Sequence, residues 1–535
     1  MSASTANRQI ARAAGTVMIA IVLGQVAGLA RSIIVAHFFG ASPELSAFYY
    51  GNRVSETLFL LVAGGALGSA FIPTFTGFLA KGDRAAAWTL AASLSRLVTL
   101  SLSLLAAAAA FFAPQIVRYA LAPGFAADPH LFTLTVNLLR IQLISAVLFG
   151  LGGLIVGILN AHQVFLIPAL TPAMYQLGII FGALFLSPSM GVYGLAWGVV
   201  IGAGFYLVLQ IPSLLKVYPH PAPSPAGRGA RDEGLLGLRD PNVRHVLLLM
   251  APRLLGVAVV QVNFWVNGYL ASFMGEESMA GLSYGFSLML MAQAAIAQSV
   301  AIAAMPTFSA QHALGQRDEM RTSLAASLRG VILLALPASL GLMMLRTPLV
   351  AMLYQRGEFT AQSTELVAWA LLWYAAGMVG HSIMEVLTRA FYAQHDTRTP
   401  VVIGAIAMGL NVVFSFAFSA LFARLGWAPH GGLALANSLA TALEATALFV
   451  TMRKRLDGIN GTHLLRGLAL ALIGTLAMSA VLLLTLRIFP GRPAWLLAPG
   501  GILAGGLTYA LTLAALRVPE LGTVTAAVRR RLSRP

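Results

Sequence analysis

The chain has 535 residues, of which 58% are hydrophobic and only 10% charged, with a formal net charge of +16 and no cysteine. A water-facing surface on a protein of this size needs far more polar side chains, so the composition excludes a soluble globular protein and points to an all-α polytopic membrane protein. The missing cysteines also exclude a disulfide scaffold and a thiolate metal site.

Apolar windows of about 20 residues recur along the chain and predict about fourteen spans. They lie near 13–38, 45–79, 86–112, 131–160, 165–187, 190–216, 246–273, 280–309, 322–345, 364–393, 400–423, 431–452, 463–488 and 494–516. The first run, preceded by Arg8 and Arg12, is expected to be an uncleaved helix and not a signal peptide, because its apolar character resumes after Arg31. The second contains AGGALG (63–68), where a break is expected. With the N-terminus in the cytoplasm, about 19 Lys and Arg residues fall in inside loops and no more than about 6 outside. The inside set includes Lys81, Arg84, Arg228, Arg317, Arg321, the Arg-Lys-Arg at 453–455 and the tail Arg529, Arg530, Arg531 and Arg534. Both termini are therefore expected to be cytoplasmic, and the positive charge to serve topology and anionic-lipid contact, not nucleic acid.

Two distant loops share a pattern. PTFTGFLAKGDR (73–84) matches PTFSAQHALGQR (306–317), and LNAHQVFLIP (159–168) matches FYAQHDTRTP (391–400), at nearly the same offset. APQIVRYALAPGF (113–125) pairs with TPLVAMLYQRGEF (347–359), and GLAWG (194–198) with GLALA (432–436). Four such matches in order indicate an internal duplication. Each copy holds an even number of spans, so the two enter the membrane from the same side as parallel repeats. The expected organisation is an N-lobe over 1–217, a Pro/Gly/Ser-rich cytoplasmic linker over 218–242, a C-lobe over 243–456, and a terminal helix pair with a basic tail over 457–535. Parallel halves imply alternating access to a central site.

An arginine in hydrocarbon costs roughly 3 to above 10 kcal/mol, so ionisable residues inside spans are expected to face protein or water. Besides Arg31 they are Arg53, Glu56, Arg96, Arg140, Arg253, Arg329, Glu385, Arg389 and Glu444. Arg96, Arg140, Arg329 and Arg389 lie where they either snorkel to an interface or turn inward. Glu385 and Arg389 are four apart on one helix, and Arg53 and Glu56 three apart, so both are expected to form ion pairs. Glu444 is expected to bond to neighbouring backbone. Arg31 and Arg253 sit on the first helix of each half, and cations bordering one cavity suit an anion such as a phosphate gripped bidentately.

The stretches GLARSIIVAHFFGAS (28–42), AFIPTF (70–75), ILNAHQVFLIPALTP (158–172), LYQRGEFTA (353–361) and RAFYAQHDTRTPV (389–401) resemble the MurJ (MviN) family, itself similar to the multidrug/oligosaccharidyl-lipid/polysaccharide exporters. The resemblance runs nearly the whole length. It implies two six-helix lobes plus a terminal pair carrying a groove for a polyprenyl tail. It also implies V-shaped alternating access and flipping of lipid II across the bacterial plasma membrane. Arg31 matches a family arginine implicated in holding the pyrophosphate. The chain departs from the family pattern at Gln25, Phe59 and Ser287, where arginines are common, and at Ser46 and Gly64, where acidic residues are common. Arg53, with its neighbour Glu56, and Arg253 and Arg389 are the positions that offer substitute charge. The family's sodium site maps to Asn267, Asn411 and Asn437, which offer amide oxygens but no carboxylate. Weak cation affinity and ordinary interhelical hydrogen bonding are expected there.

No cofactor is expected, with Na⁺ or H⁺ coupling left open, and no nucleotide phosphate loop is present. Membrane potential is the expected drive, since each negative charge moved outward gains up to roughly 2.3 kcal/mol per 100 mV. The expected partners are lipid II or a related polyprenyl-pyrophosphate glycolipid, anionic lipids and cell-wall synthesis machinery. Rival readings are export of another polyprenyl-linked glycan or a drug, and a lipid-binding relative that does not flip. A membrane glycosyltransferase is disfavoured because the seven aspartates are scattered over loops without a DxD.

Overall fold

The computed structural model describes residues 3–62, 66–218 and 240–520 and, within these, every side chain except those of 3–19, 21, 62, 66–70, 251–253 and 255. Residues 63–65 of the expected break, nearly all of the linker and the basic tail from 521 lie outside the described residues. In chain order the helices are α1 (Ala3–Phe39), α2 (Pro43–Val62), α3 (Ala66–Ala80), α4 (Arg84–Phe111), α5 (Ala113–Ile116), α6 (Pro129–Ala161), α7 (Leu166–Phe181), α8 (Ser187–Met190), α9 (Val192–Val208) and α10 (Ile211–Val217). They continue with α11 (Pro241–Ala271), α12 (Ser278–Gln293), α13 (Ser299–Ala313), α14 (Arg317–Met344), α15 (Arg346–Tyr354), α16 (Ala361–Ala376), α17 (Met378–Ala393), α18 (Arg398–Arg424), α19 (His430–Arg455), α20 (Gly461–Ile488) and α21 (Ala494–Ala515). No strand occurs among the described residues.

Eleven of the described helical runs are long and apolar enough to cross a membrane, and α16–α17, bent by 47°, makes a twelfth. The interrupted run α2–α3 and the 31-residue α11 bring the crossings to the fourteen read from hydropathy. Leu104, Phe185, Leu476 and Leu503 are each more than 60% exposed, which only a hydrocarbon surround makes favourable.

Short polar turns punctuate the spans, and their aspartates work as helix caps. Asp83 accepts from the Ala86 amide at 2.9 Å, Asp128 from His130 at 2.7 Å, Asp240 from Asn242 at 2.8 Å and Asp396 from Arg398 at 3.0 Å. Each satisfies an amide that the first turn of a helix leaves without a partner.

The duplication is visible in these turns. Gly82 and Gly315 both take positive φ, 77° and 69°, as do the non-glycine pair Gln163 and His395, at 60° and 59°. The hydrogen bonds repeat with the same offset: Val164 to the Leu159 carbonyl answers Asp396 to Phe391, and Asp83 to Phe78 answers Gln316 to Gln311. A left-handed residue that is not glycine is uncommon, so its recurrence at matched positions is strong evidence of a copied turn.

The chain divides into two compact units, Met1–Met279 and Ala280–Pro535. The first has a core of Phe71, Phe75, Trp88, Leu94, Leu154 and Met250. In it α11, which the repeat places at the head of the second copy, packs on α2, α3 and α4. Descent and packing thus draw the boundary differently. In the second unit the pairings α13–α17, α14–α17, α17–α19 and α18–α19 reproduce α3–α6, α4–α6, α6–α9 and α7–α9 of the first.

The terminal helices α20 and α21 pack on α14 through Ile332, Leu333, Met478, Tyr509 and Leu513. Their strongest tie is electrostatic. Arg329 of α14 is only 3% exposed and meets Glu520 at 2.7 Å, with His463 of α20 3.1 Å from its Nη1. Of the two placements open to Arg329, the inward one holds. Arg140 instead donates to the Ala110 carbonyl at 3.1 Å, in the last turn of α4. A cation is favoured at that negative helix end.

Two outcomes test this architecture. Arg329→Ala removes the cation that meets Glu520 and is expected to cost about 2 kcal/mol, read as a fall in the thermal midpoint of the purified protein. Asp396 sits in the turn between α17 and α18, paired with Arg455 at 2.7 Å. Burial alone would push its carboxyl up, but hydrogen bonds from Thr399 and the charge of Arg455 outweigh it and hold the group at about 2, below its ordinary 3.8. The contribution is therefore present above pH 3.8 and lost as pH falls through about 2. Asp396→Asn should lower stability by about 1–2 kcal/mol at neutral pH, and its gap to the parent should close only in that acid window.

Candidate functional site

In the first unit the polar residues of α1, α2 and α7 converge on Arg31. Arg31 is half-buried within α1, and one guanidinium nitrogen reaches the Ser32 hydroxyl at 3.3 Å. That hydroxyl in turn bonds back to the Gly28 carbonyl at 3.0 Å. Gly28, one turn before Arg31 on the same helix face, approaches Gln176 of α7. Its charge acts on the phenols of Tyr49 and Tyr175. Tyr175 is also hydrogen-bonded by Asn52 and feels Glu56. Among the described residues no carboxylate comes within ion-pair distance of Arg31. A guanidinium carries five donors, most of them uncommitted here.

Arg53 is in a different state. It pairs with Glu56 at 3.0 Å, as their spacing predicts, and its guanidinium carbon lies 4.7 Å from the centre of the Phe264 ring on α11. Carboxylate and ring together neutralise and shield it. Beside it Thr57 donates to Gln261 at 3.1 Å and accepts from Trp265 at 3.0 Å, and the Tyr50 hydroxyl donates to the Gly268 carbonyl at 3.0 Å. On its other side α2 is held to α6, where the Ser55 and Ser145 hydroxyls meet at 2.8 Å. Gln25 is exposed on α1, and the Arg253 side chain lies outside the described residues, though its backbone belongs to α11.

In the second unit Arg389 and Glu385 form the expected pair at 3.0 Å. The half-buried Ser287 lies on α12. The Asn437 Oδ1 accepts from Nε2 of the buried His381 at 3.1 Å, joining α19 to α17, and Ser415 donates to the Asn411 oxygen at 3.2 Å. Asn267, in the first unit, donates to Asn263 at 3.2 Å. Where interhelical bonds were expected at all three asparagines, the bond of Asn437 joins two helices while those of Asn267 and Asn411 run four residues along their own helices, and no cluster of three His, Asp or Glu residues occurs among those described. Among the described residues, no backbone group donates to Glu444, where such a bond was expected. Its carboxyl lies against Gly404 of α18, where an added methyl would stand 3.1 Å from Oε1.

The residues that sequence reading overlooked are Tyr49, Asn52 and Tyr175. Tyr49, Asn52, Arg53 and Glu56 follow helical spacing on α2, so the polar stripe around Arg31 was available from periodicity applied to polar residues. Tyr175, on a separate helix, carried no such signal.

Residues 35–497 match the family described as lipid II flippase MurJ. The chain is 32% identical to a lipid II flippase MurJ of Burkholderia cenocepacia over 81% of this chain and 82% of that one. It is 30% identical to a probable lipid II flippase MurJ of Vibrio cholerae, over 83% of each. Among solved structures it resembles a lipid II flippase MurJ in an inward closed conformation, with a TM-score of 0.77 at 23% identity, covering 94% of this chain and 98% of the other. It also resembles an inward-facing transporter of the multidrug resistance MATE family, with a TM-score of 0.67 at 15% identity over 81% and 94% of the two chains. With most of its length inside the family match and its spans arranged as in these relatives, the chain belongs to the MurJ family.

Proposed function

We propose that this chain flips lipid II, the polyprenyl-pyrophosphate-linked peptidoglycan precursor, from the inner to the outer leaflet of the bacterial plasma membrane by alternating access. The observation that carries the reading is Arg31: a half-buried intramembrane guanidinium, flanked by phenols, without a carboxylate in reach among the described residues. A permanent charge in that position is stabilised by an anion that arrives and leaves. Pyrophosphate fits because its oxygens match the guanidinium fork. Tyr49, Asn52 and Tyr175 supply donors around the same point. Glu56 limits the region to anions that Arg31 can hold and release, since a surplus of positive charge would trap the ligand. Arg53 and Arg389, each engaged by its own glutamate, contribute less than Arg31 to binding.

The bias of Lys and Arg toward one set of loops supports cytoplasmic termini and contact with anionic lipids on that side. The reading requires no cofactor and no nucleotide. Outward movement of the doubly anionic headgroup is favoured by an inside-negative potential, and so is return of the emptied, positively charged site. Cell-wall polymerising enzymes that consume the precursor on the outer face are the partners this activity calls for.

Arg31→Ala should lower the flipping rate in proteoliposomes by about tenfold to a hundredfold, the value of one or two charge-assisted hydrogen bonds, with Arg31→Lys in between. Fluorescent lipid II and a headgroup-specific reagent added outside would report it. Imposing a potassium-diffusion potential should speed movement of the precursor in the electrically favoured direction. Indifference to that potential would remove the proposed drive. Rescue of cells depleted of their own flippase separates this reading from export of another polyprenyl-linked glycan, which the uncharged Gln25, Phe59 and Ser287 would otherwise favour.

A further inference from the structure

Glu444 has no part in the mechanism above, yet it is the second unit's most isolated charge. It lies in the middle third of α19, 8% exposed, where α19 packs on α16, α17 and α18. The groups that face this helix are few. On α17, His381 is bonded to Asn437, two turns from Glu444, while Glu385 and Arg389 are bonded to each other and Tyr392 sits in the last turn. On α18 the charged residues are Arg398 and Arg424, at its two ends, and on α16 the titratable ones are Glu365 in the second turn and Tyr374 near the end. On α19 itself His430, Arg453, Lys454 and Arg455 are terminal. Among the described residues, no Lys, Arg or His comes within ion-pair distance of the Glu444 carboxyl.

Its immediate neighbour is bare backbone. An added Cβ on Gly404 would stand 3.1 Å from Oε1 and 3.8 Å from the carboxyl carbon, so the glycine is what lets the acid fold flat between α18 and α19. A carboxylate packed there without a counter-charge costs several kcal/mol, and so does a water-filled gap opened to relieve it. A proton removes the cost without moving a helix.

We propose that Glu444 is a proton-binding site whose occupancy controls the packing of α18 on α19. Binding forms one O–H bond on the carboxylate, with the proton taken from adjoining water and returned there on release; no other bond changes. In the protonated form α18 closes over the acid at Gly404, as in the structure. Loss of the proton leaves a charge that must be hydrated, which separates the two helices around Gly404 and Glu444. The site lies two turns from the His381–Asn437 bond and works whatever the transported molecule is.

The test needs no substrate. Hydrogen–deuterium exchange in α18 is followed for the full-length protein in nanodiscs between pH 6 and pH 9, corrected for the chemistry of exchange itself. In the parent, exchange around Gly404 should rise by up to about tenfold per pH unit once deprotonation governs opening. Glu444→Gln and Glu444→Met should remain at the parent's low-pH level throughout. A flat parent profile, or the same rise in either neutral variant, overturns the proposal. Failure of both neutral variants to fold also overturns it, because a neutral side chain is the resident form it requires. A flipping defect would leave these outcomes untouched, so the two readings fail separately.

Discussion

Hydrocarbon offers a charge no partner, and the placement of nearly every ionisable residue in this chain answers that constraint. Arg53 is met by Glu56 and the face of Phe264, Arg389 by Glu385, Arg329 by Glu520 and His463, and Arg140 by the carbonyl end of α4. These are local solutions, complete in one conformation. Arg31 in the first unit and Glu444 in the second lack an opposite charge among the described residues, and it is on these two that the proposals of a visiting anion and a visiting proton rest.

The duplicated turns show how such a frame is built twice from diverged sequence. What survives between the copies is backbone geometry: a left-handed residue after α6 and after α17, and a glycine before α4 and before α14. Side chains inside the spans have drifted much further. The asymmetry follows from function. A turn has one workable hydrogen-bond pattern, whereas a span face is free to change provided that its polar atoms find partners. The first unit spent that freedom on hydroxyl and amide contacts that join α2 to α6 and α11, and the second on His381, Asn437 and Glu444.

Features set by chain-local rules were legible in advance. Spans follow from length and hydropathy, and the Arg53–Glu56 and Glu385–Arg389 pairs from three- and four-residue spacing. The alignment of PTFTGFLAKGDR with PTFSAQHALGQR follows from simple comparison. The run 45–79 is described as α2 and α3, with residues 63–65 of the expected break outside the described residues. Partners far apart in sequence were not legible: Arg329 and Glu520 are separated by 191 positions, and Thr57 and Trp265 by 208. Which faces of two helices meet depends on their rotation and relative height, and neither is written in the periodicity of one helix alone. Span position and family resemblance both singled out Arg31, while Tyr175 appeared only once α7 was packed against α1.

The fastening of the terminal hairpin has a mechanical consequence. Arg329 clamps one end of it, the Tyr509 hydroxyl grips the Leu333 carbonyl at 2.6 Å midway, and α21 rests on α15 near the other end. Three attachments spaced along the hairpin tie α20 and α21 to α14 and α15 over most of their length. Ionic strength scarcely reaches a guanidinium so enclosed.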